Sequence, residues 1–275
     1  MKINLRALFK LKRNMIDYGF KNKIALITGG SRGIGLSIAE SLAKQGAHII
    51  ICSRSKENLE SASKALKKHN VEVLTIKVDA LKQDAADFIV SEIKKRWDGV
   101  DILINNVGGG GRWGNERVEI TNDSVWSEVF QKNALIAALL TSKLIPHMLK
   151  RKWGRVITIS SIYGKEGGGR PWFAMAKSAE VALMKSLSLT NYLVRSGITF
   201  NTVAPGGIYI KGAGFEEELT KNPIKFKKMI EDEYPLGRMG TPEEVANVVT
   251  FLCSEQASLV NGSQITVDGG QTKSF

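Results

Sequence analysis

The sequence has little with which to build a disulfide or metal framework: two cysteines and three histidines in 275 residues. Cys52 and Cys253 have no CxxC spacing and no histidine cluster around them, so neither a disulfide scaffold nor a zinc site is suggested, and no metal is expected. That usage suits a reducing compartment, and a cytoplasmic location is the expectation. Long apolar runs are missing as well. None approaches the ~20 residues that a bilayer span needs, and those present have strand length and lie between turn signals. Internal repeats and low-complexity linkers are also absent. A hydrophobic content of 43% over this length supports one large core, so one domain is expected.

Acidic residues are in deficit, 27 against 39 lysines and arginines, for a formal charge of +12. The excess is uneven. Residues 1–23 hold Lys2, Arg6, Lys10, Lys12, Arg13, Lys21 and Lys23 against the single acid Asp17, seven against one, leaving +6 or half the total. Residues 1–22 are therefore read as a basic N-terminal extension before a domain over 23–275, with Met15 as an alternative start. Ile3, Leu5, Leu8, Phe9 and Leu11 give the extension the apolar character of a short helix able to lie on an anionic surface; the plainer reading is a frayed terminus. A secretory signal is not expected, because lysines interrupt the apolar positions and no small-residue cleavage site follows.

From Lys23 onward, short apolar runs alternate with helical patterns. KIALIT precedes a helix over 34–45, AHIIICS a charged helix through 68, VEVLTIKV a helix over 83–97, DILINNV a helix over 123–151, and RVITISS a helix over 172–195. ITFNTVAPG, a helix over 242–254 and SQITVDGG complete the chain. Continuous apolar strands separated by helices predict an α/β fold of the Rossmann type, a doubly wound parallel sheet with helices on both faces. The irregular stretch 206–240 is rich in Gly, Lys and Glu and is long enough to form a helical lid over a substrate cleft.

Thr28-Gly29-Gly30-Ser31-Arg32-Gly33-Ile34-Gly35 joins the first strand to the first helix. Glycine there permits a tight turn and close backbone approach, and the helix N-terminus favours an anion, so the segment is read as a pyrophosphate-binding turn. Gly29, Gly33 and Gly35 carry that role, with Ser31, Arg32 and Ile34 between them. The spacing G-x-x-x-G-x-G departs from the G-x-G-x-x-G dinucleotide fingerprint.

TGGSRGIG, NNVG at 105–108 and VAPGG at 203–207 together resemble the short-chain dehydrogenase/reductase family over roughly residues 23–270, and PLGRMGTPEEVANVVTFLCSE through VNGSQITVDGG is similar to bacterial 3-oxoacyl-carrier-protein reductases. The resemblance implies that Asp79 and Ala80 bracket an adenine ring, that Asn105 supports the sheet beside the cofactor, and that Gly108 lets the chain pass close to a ribose. Pro205, Gly206 and backbone groups around Ile208 would hold the nicotinamide side, since Ile210 stands where many relatives place a threonine. Cofactor choice has a physical basis: an acid ending the second strand binds a ribose 2′-OH and repels a 2′-phosphate. Here that strand ends Cys52-Ser53-Arg54, and Arg54 with Arg32 can clamp a 2′-phosphate, with Ser53 as hydroxyl partner, so NADP(H) is expected.

The family's serine, tyrosine and lysine act together, with the tyrosine four residues before the lysine. Lys177 fits the lysine, which also serves the cofactor, but Phe173 stands at the tyrosine position. A phenol beside the carbonyl oxygen supplies a proton as hydride arrives; phenylalanine keeps the ring and loses that chemistry. The serine is Ser161 counting from the Ile-Tyr-Gly after it, the favoured choice, and Ser160 counting back from 173. Asn133 matches the family's asparagine that holds a water in the proton relay. Phe173 has three readings: an exchange made to trap ligand without turnover, a natural member that has lost hydride transfer, or a site whose proton comes from Tyr163 or Tyr209.

Gly108 to Gly114, with Arg112 and Trp113, forms a candidate substrate wall. Arg112, Arg170 and Lys165 would make the cleft mouth cationic, suited to a carrier-bound or nucleotide-linked substrate. The expected function is NADP(H)-dependent interconversion of a ketone and a secondary alcohol, with Phe173 inactivating. The alternatives are a silent NADP(H)-binding subunit and a protein that uses its basic leader on nucleic acid or membrane; nucleic acid and a membrane span are not expected as partners. The resemblance also implies a homotetramer built through the helix bearing Lys177 and the one before it.

Overall fold

The computed structural model describes residues 16–274; the apolar positions of the basic leader, Ile3 to Leu11, lie outside them. Seven strands form one parallel sheet: β1 (Ile24–Thr28), β2 (His48–Ser53), β3 (Val73–Lys77), β4 (Ile102–Asn105), β5 (Gly154–Ile159), β6 (Ile198–Pro205) and β7 (Gln264–Val267), in the order β3-β2-β1-β4-β5-β6-β7. The order reverses between β1 and β4, the topological switch point at which open α/β sheets bind ligands beyond their strand carboxyl ends. Ala25, Leu26 and Ile27 on β1 pair in register with Ile102, Leu103 and Ile104 on β4. The expected doubly wound α/β architecture is thus the observed one.

The strands are apolar along their length because both faces are covered. Successive residues of β2 go to opposite layers: Ile49 and Ile51 join the core that contains Ile38, Leu42 and Val249, whereas Ile50 joins the one with Ile89, Leu140 and Met184. The period of two in a strand dictates this split. The first layer holds α1 (Gly33–Lys44), with α2 (Lys56–Leu66) beside it. The second holds α3 (Ala85–Lys94), α4 (Asp123–Phe130), α5 (Ile136–Arg151) and α6 (Pro171–Ser188). Packing begins earlier than Lys23. Phe20 is fully buried in the first core and Tyr18 stacks on it at 5.9 Å, so the chain joins the domain several residues before the boundary read from charge.

Two long helical patterns are interrupted. The one expected over 123–151 breaks into α4 and α5 across a π-helical turn at Gln131–Leu135, a widening of the helix often found at functional positions. The one expected over 172–195 stops at Ser188, followed by a single turn, α7 (Asn191–Val194). The stretch 206–240 contains two helices, α8 (Gly214–Lys221) and α9 (Pro223–Glu233). Asn222 accepts from Lys225 N at the start of α9, and Pro223 takes the first helical position, where its missing N–H costs nothing. The last helix, α10 (Pro242–Leu252), opens on a capping box between Thr241 and Glu244 and packs on α1. No helix among the described residues is long and apolar enough to cross a membrane.

Candidate active site

A cavity of about 440 Å³ opens at the carboxyl ends of β1, β2 and β4, at the switch point. Gly29, Ser31, Arg32, Gly33, Ile34 and Gly35 form one side, Ser53, Arg54, Asp79 and Ala80 a second, and Gly108, Phe173 and Lys177 the far end. Residues spread over 150 positions of sequence therefore meet around one space. The turn after β1 is held open by Thr28. Its hydroxyl donates to Ile104 O at 3.3 Å and accepts from Asn106 N and Val107 N, each at 2.9 Å, tying β1 to the end of β4. Gly33 has φ +55, and a Cβ on Gly35 would lie 2.5 Å from Gly29 O, so a side chain there would close the turn. The freed volume at the start of α1 is what a dinucleotide phosphate needs.

At the adenosine end, Arg54 lies 4.0 Å from Asp79 and keeps a side chain 63% exposed. Arg32 lines the same wall. A third cation, not found from the sequence, joins them: Lys132 lines the cavity, its Nζ 4.6 Å from the Trp113 ring centroid. Burial holds its ammonium below the usual lysine range, and the neighbouring Arg54 and Arg32 add to that while Asp79 opposes it. Ser53 directs its hydroxyl to Ser55 O at 3.4 Å.

The predicted polar residues divide between the cavity and its supports. Asn105 is buried behind the wall, its amide donating to Thr141 and Thr158 at 3.1 and 3.3 Å. Its neighbour Asn106 lines the cavity and donates to Thr28 O at 2.8 Å. Asn133, on the π turn, is wholly buried rather than solvent-facing. Its side chain donates to Gly109 O at 2.9 Å and Val129 O at 2.7 Å and accepts from Gly109 N at 3.1 Å. Those bonds make it a clamp on the glycine loop and leave its amide donors committed to protein. Gly108 has no room for a side chain: a Cβ would lie 2.6 Å from Asn133 Oδ1 and 3.2 Å from Lys177 Nζ.

Pro205, Gly206 and Ile208 stand outside the lining of this cavity. Pro205 still pairs with Val267 of β7, Gly206 N donates to Val267 O at 3.1 Å, and Ile208 bridges to Gly240. Ile210 reaches the cavity instead, 3.0 Å from a Cβ built on Gly33.

The two serines take different parts. Ser160 lines the cavity, but its hydroxyl donates to Lys177 O at 2.9 Å and also hydrogen-bonds the Glu180 carboxyl, so it is engaged by α6. Ser161, half-buried, stands outside the lining and accepts from Tyr163 N at 3.3 Å. Lys177 is buried; its Nζ bonds to Ile159 O at 3.0 Å and to the Glu180 carboxylate at 3.0 and 3.2 Å. Glu180, one helical turn on, is 1% exposed, and burial pushes its carboxyl up to about 7 despite the ammonium beside it. Its spacing of three from Lys177, on a face that also buries Ala176 and Met184, is a signal the sequence carried.

Phe173 faces the glycine loop, its ring 3.4 Å from a Cβ built on Gly111 and its centroid 5.7 Å from Lys177 Nζ. Trp172 is fully buried behind it, edge-on to Trp126 at 5.3 Å, and Trp113 completes an aromatic wall. Among the described residues no tyrosine lines the cavity. Tyr163 covers Gly168 and Gly169, and Tyr209 donates to Glu216 at 3.3 Å. The cationic mouth is largely compensated: Arg112 pairs with Glu218 at 2.9 Å and lies over Phe215, and Arg170 pairs with Glu116 at 3.4 Å. The two buried cysteines are free, their thiols pushed up to about 12 by burial.

Residues 29–272 match the family model described as enoyl-(acyl carrier protein) reductase. The chain is 35% identical over 265 residues to the 3-oxoacyl-(acyl-carrier-protein) reductase FabG of Aquifex aeolicus, covering 93% of this chain and 99% of that one. It is 34% identical over 261 residues to the dehydrogenase/reductase SDR family member 4 of Bos taurus, covering 94% and 89%. Among solved structures, the L-sorbose reductase of Gluconobacter frateurii, complexed with NADPH and L-sorbose, superposes with a TM-score of 0.87 at 33% identity, over 94% of this chain and all of that one. With the sheet order, the glycine turn and the lysine of α6 all in place, the chain belongs to the short-chain dehydrogenase/reductase family.

Proposed function

We propose that this chain binds NADP(H) in the switch-point cavity and is built to interconvert a ketone and a secondary alcohol. The observation that carries the reading is the convergence of Arg32 and Arg54 on the cavity that Lys177 lines, at the end of a strand that closes on Ser53 rather than an acid. The cradle at Gly33 and Gly35, which a Cβ would fill, fits the pyrophosphate. The NADPH bound by the L-sorbose reductase supports the same assignment. Bound reduced nicotinamide supplies the hydride. Ser161 donates to the carbonyl oxygen and polarises it, Lys177 holds positive charge beside it, and Asn133 fixes the loop that carries Gly108. Phe173 leaves the site without a phenol, so turnover is slow for the fold.

A cofactor-binding subunit without catalysis is the second reading, favoured by the lack of any tyrosine in the lining. Turnover of NADPH with a panel of ketones, for the chain as it stands and for Phe173→Tyr, separates the two. Gain on restoring the hydroxyl supports a reductase site; silence in both, with NADPH bound, supports the subunit. A carrier-bound or nucleotide-linked substrate would place an anionic group at Arg112, displacing Glu218 and parting the glycine loop from α8, the helix proposed as lid. A cytoplasmic location and a homotetramer complete the reading. Leu135 and Leu139, at the start of α5, and Met175, on α6, are exposed apolar side chains on the helices expected to pair, and light scattering tests the tetramer.

A further inference from the structure

The site holds a buried acid that the family pattern does not use. Glu180 lies on α6 at 1% exposure, with both carboxylate oxygens within 3.2 Å of Lys177 Nζ and no other ionisable group acting on it. Burying such a pair is costly, and a carboxylate and an ammonium are retained in a core only where their geometry compensates. Here Lys177 lines the end of the cavity, with Glu180 buried behind it. Lys177 Nζ lies 3.2 Å from where a Gly108 Cβ would be, and so borders the space in front of Phe173. Phenylalanine contributes no hydroxyl to that space. Of the described ionisable residues that line the cavity, Lys177 is the one whose Nζ lies 5.7 Å from the Phe173 ring centroid; Lys132 Nζ stands 3.5 Å from where a Gly109 Cβ would be, and Arg32, Cys52, Arg54 and Asp79 line the remainder.

We propose that Lys177 is the proton donor of this site and that Glu180 is its positioning residue, the carboxyl group that in its ionised form keeps the ammonium protonated and aimed at the substrate oxygen. The inference rests on the reductase reading. An ammonium has three N–H donors: one is held by Ile159 O at 3.0 Å and one by the nearer Glu180 oxygen at 3.0 Å. The third makes the longer contact, 3.2 Å to the other carboxylate oxygen, and is the one a substrate oxygen replaces. As the carbonyl carbon takes up the hydride that a bound cofactor would supply, the C=O π pair would become a lone pair on oxygen. One N–H bond of Lys177 breaks, its proton bonds to that oxygen, and the nitrogen keeps the electron pair. The neutral amine then regains a proton from water, drawn by the Glu180 carboxylate. In the opposite direction the amine takes the alcohol proton.

The linkage gives a sign to test. Removing the carboxylate leaves a desolvated ammonium without its counter-charge, which favours the neutral amine. In Glu180→Gln, therefore, kcat should fall with rising pH at pH values where the parent keeps its rate, reaching a loss of roughly 100-fold at the alkaline end, the size of a lost general acid. KM for the ketone should change little. Glu180→Asp, which keeps the charge, should keep the parent pH profile, and it serves as the test protein if the glutamine variant does not fold. A merely structural Glu180 would lower melting temperature and rate together at every pH.

Carbon-13 NMR of the Lys177 ε-carbon in the cofactor-free protein provides a readout independent of turnover: the side chain should lose its proton at lower pH in Glu180→Gln than in the parent. Equal titration in the two proteins, or an unchanged pH–rate profile, overturns the role of Glu180. Turnover retained in Lys177→Met overturns the role of Lys177. If no chain turns over any ketone, the reductase reading falls, while the titration still decides whether Glu180 sets the protonation of Lys177.

Discussion

Replacing Arg54 by aspartate puts the cofactor assignment at greatest risk, because it reverses a charge without touching the glycine turn. The guanidinium is 63% exposed and lies 4.0 Å from Asp79, so its field acts through water rather than through protein. Two unit charges about 4 Å apart in water interact by ~1 kcal/mol. A 2′-phosphate of charge about −2, meeting +1 replaced by −1, then loses ~4 kcal/mol before screening. Physiological salt, with a Debye length of about 8 Å, removes part of this, and ~2–3 kcal/mol remains. That is a roughly 30- to 150-fold rise in the Kd for NADPH. NADH lacks the phosphate, and its Kd should change less than about threefold. The assay is calorimetric titration of both cofactors at two salt concentrations, with melting temperature as the check on folding. The surface pair with Asp79 contributes ~0–1 kcal/mol, so folding should persist. Equal weakening of NADPH and NADH would refute the clamp, as would a NADPH loss that fails to shrink with added salt.

Four further outcomes are expected. Phe173→Tyr should raise kcat for a turned-over ketone by about 10²–10⁴, the range of a general acid, measured as NADPH oxidation at 340 nm. Gly35→Ala should abolish binding of both cofactors alike, since its Cβ would press on Gly29 O at 2.5 Å; titration checks it. Asn133→Ala removes three hydrogen bonds from a buried position and leaves Gly109 and Val129 unpartnered, so chemical denaturation should show a loss of about 2–3 kcal/mol. Arg238 holds the Glu244 carboxyl at about 2 against its ordinary 4.5. A depressed carboxyl contributes stability above its unfolded value and loses it as pH falls through the folded one. The melting-temperature deficit of Glu244→Gln should thus be full above about pH 4.5 and disappear toward about 2.

What could be read from residues alone follows from how each feature is encoded. The sheet was legible because strands buried on both faces must be apolar throughout, as in Ile49 to Ile51, and because Gly33 and Gly35 solve a packing problem that other residues cannot. The π turn was not, since an inserted residue leaves the 3.6-residue pattern of 123–151 nearly intact on both sides. Asn133 was found as a residue, but its bonds to Gly109 depend on a loop path that no local spacing specifies. On the segment expected to hold the nicotinamide side, Ile208 bridges to Gly240 while Ile210 lines the cavity, a difference in loop path that no local spacing specifies. The cationic mouth was overstated for a related reason: the acids that answer Arg112 and Arg170 sit 106 and 54 positions away, at Glu218 and Glu116.

Phe173 looks like a deletion when the motif is read as three separate residues, and less so when α6 is read as a surface. Between Arg170 and Glu180 that helix presents an aromatic ring and a lysine to the same end of the cavity, with a carboxylate buried behind the lysine. The lysine is held by the carboxylate and by Ile159 O rather than by solvent. A buried charge pair is one that isosteric apolar residues commonly replace at no loss of stability, so stability alone does not account for it here. Its place beside the glycine loop, where a Gly108 Cβ would lie 3.2 Å from Lys177 Nζ, fits the proposed role in carrying a proton. For that reason Phe173→Tyr and Glu180→Gln belong in one cycle. If the phenol and the ion pair serve the same proton, the tyrosine should blunt the alkaline loss caused by removing Glu180; if the two effects add independently, they serve different steps.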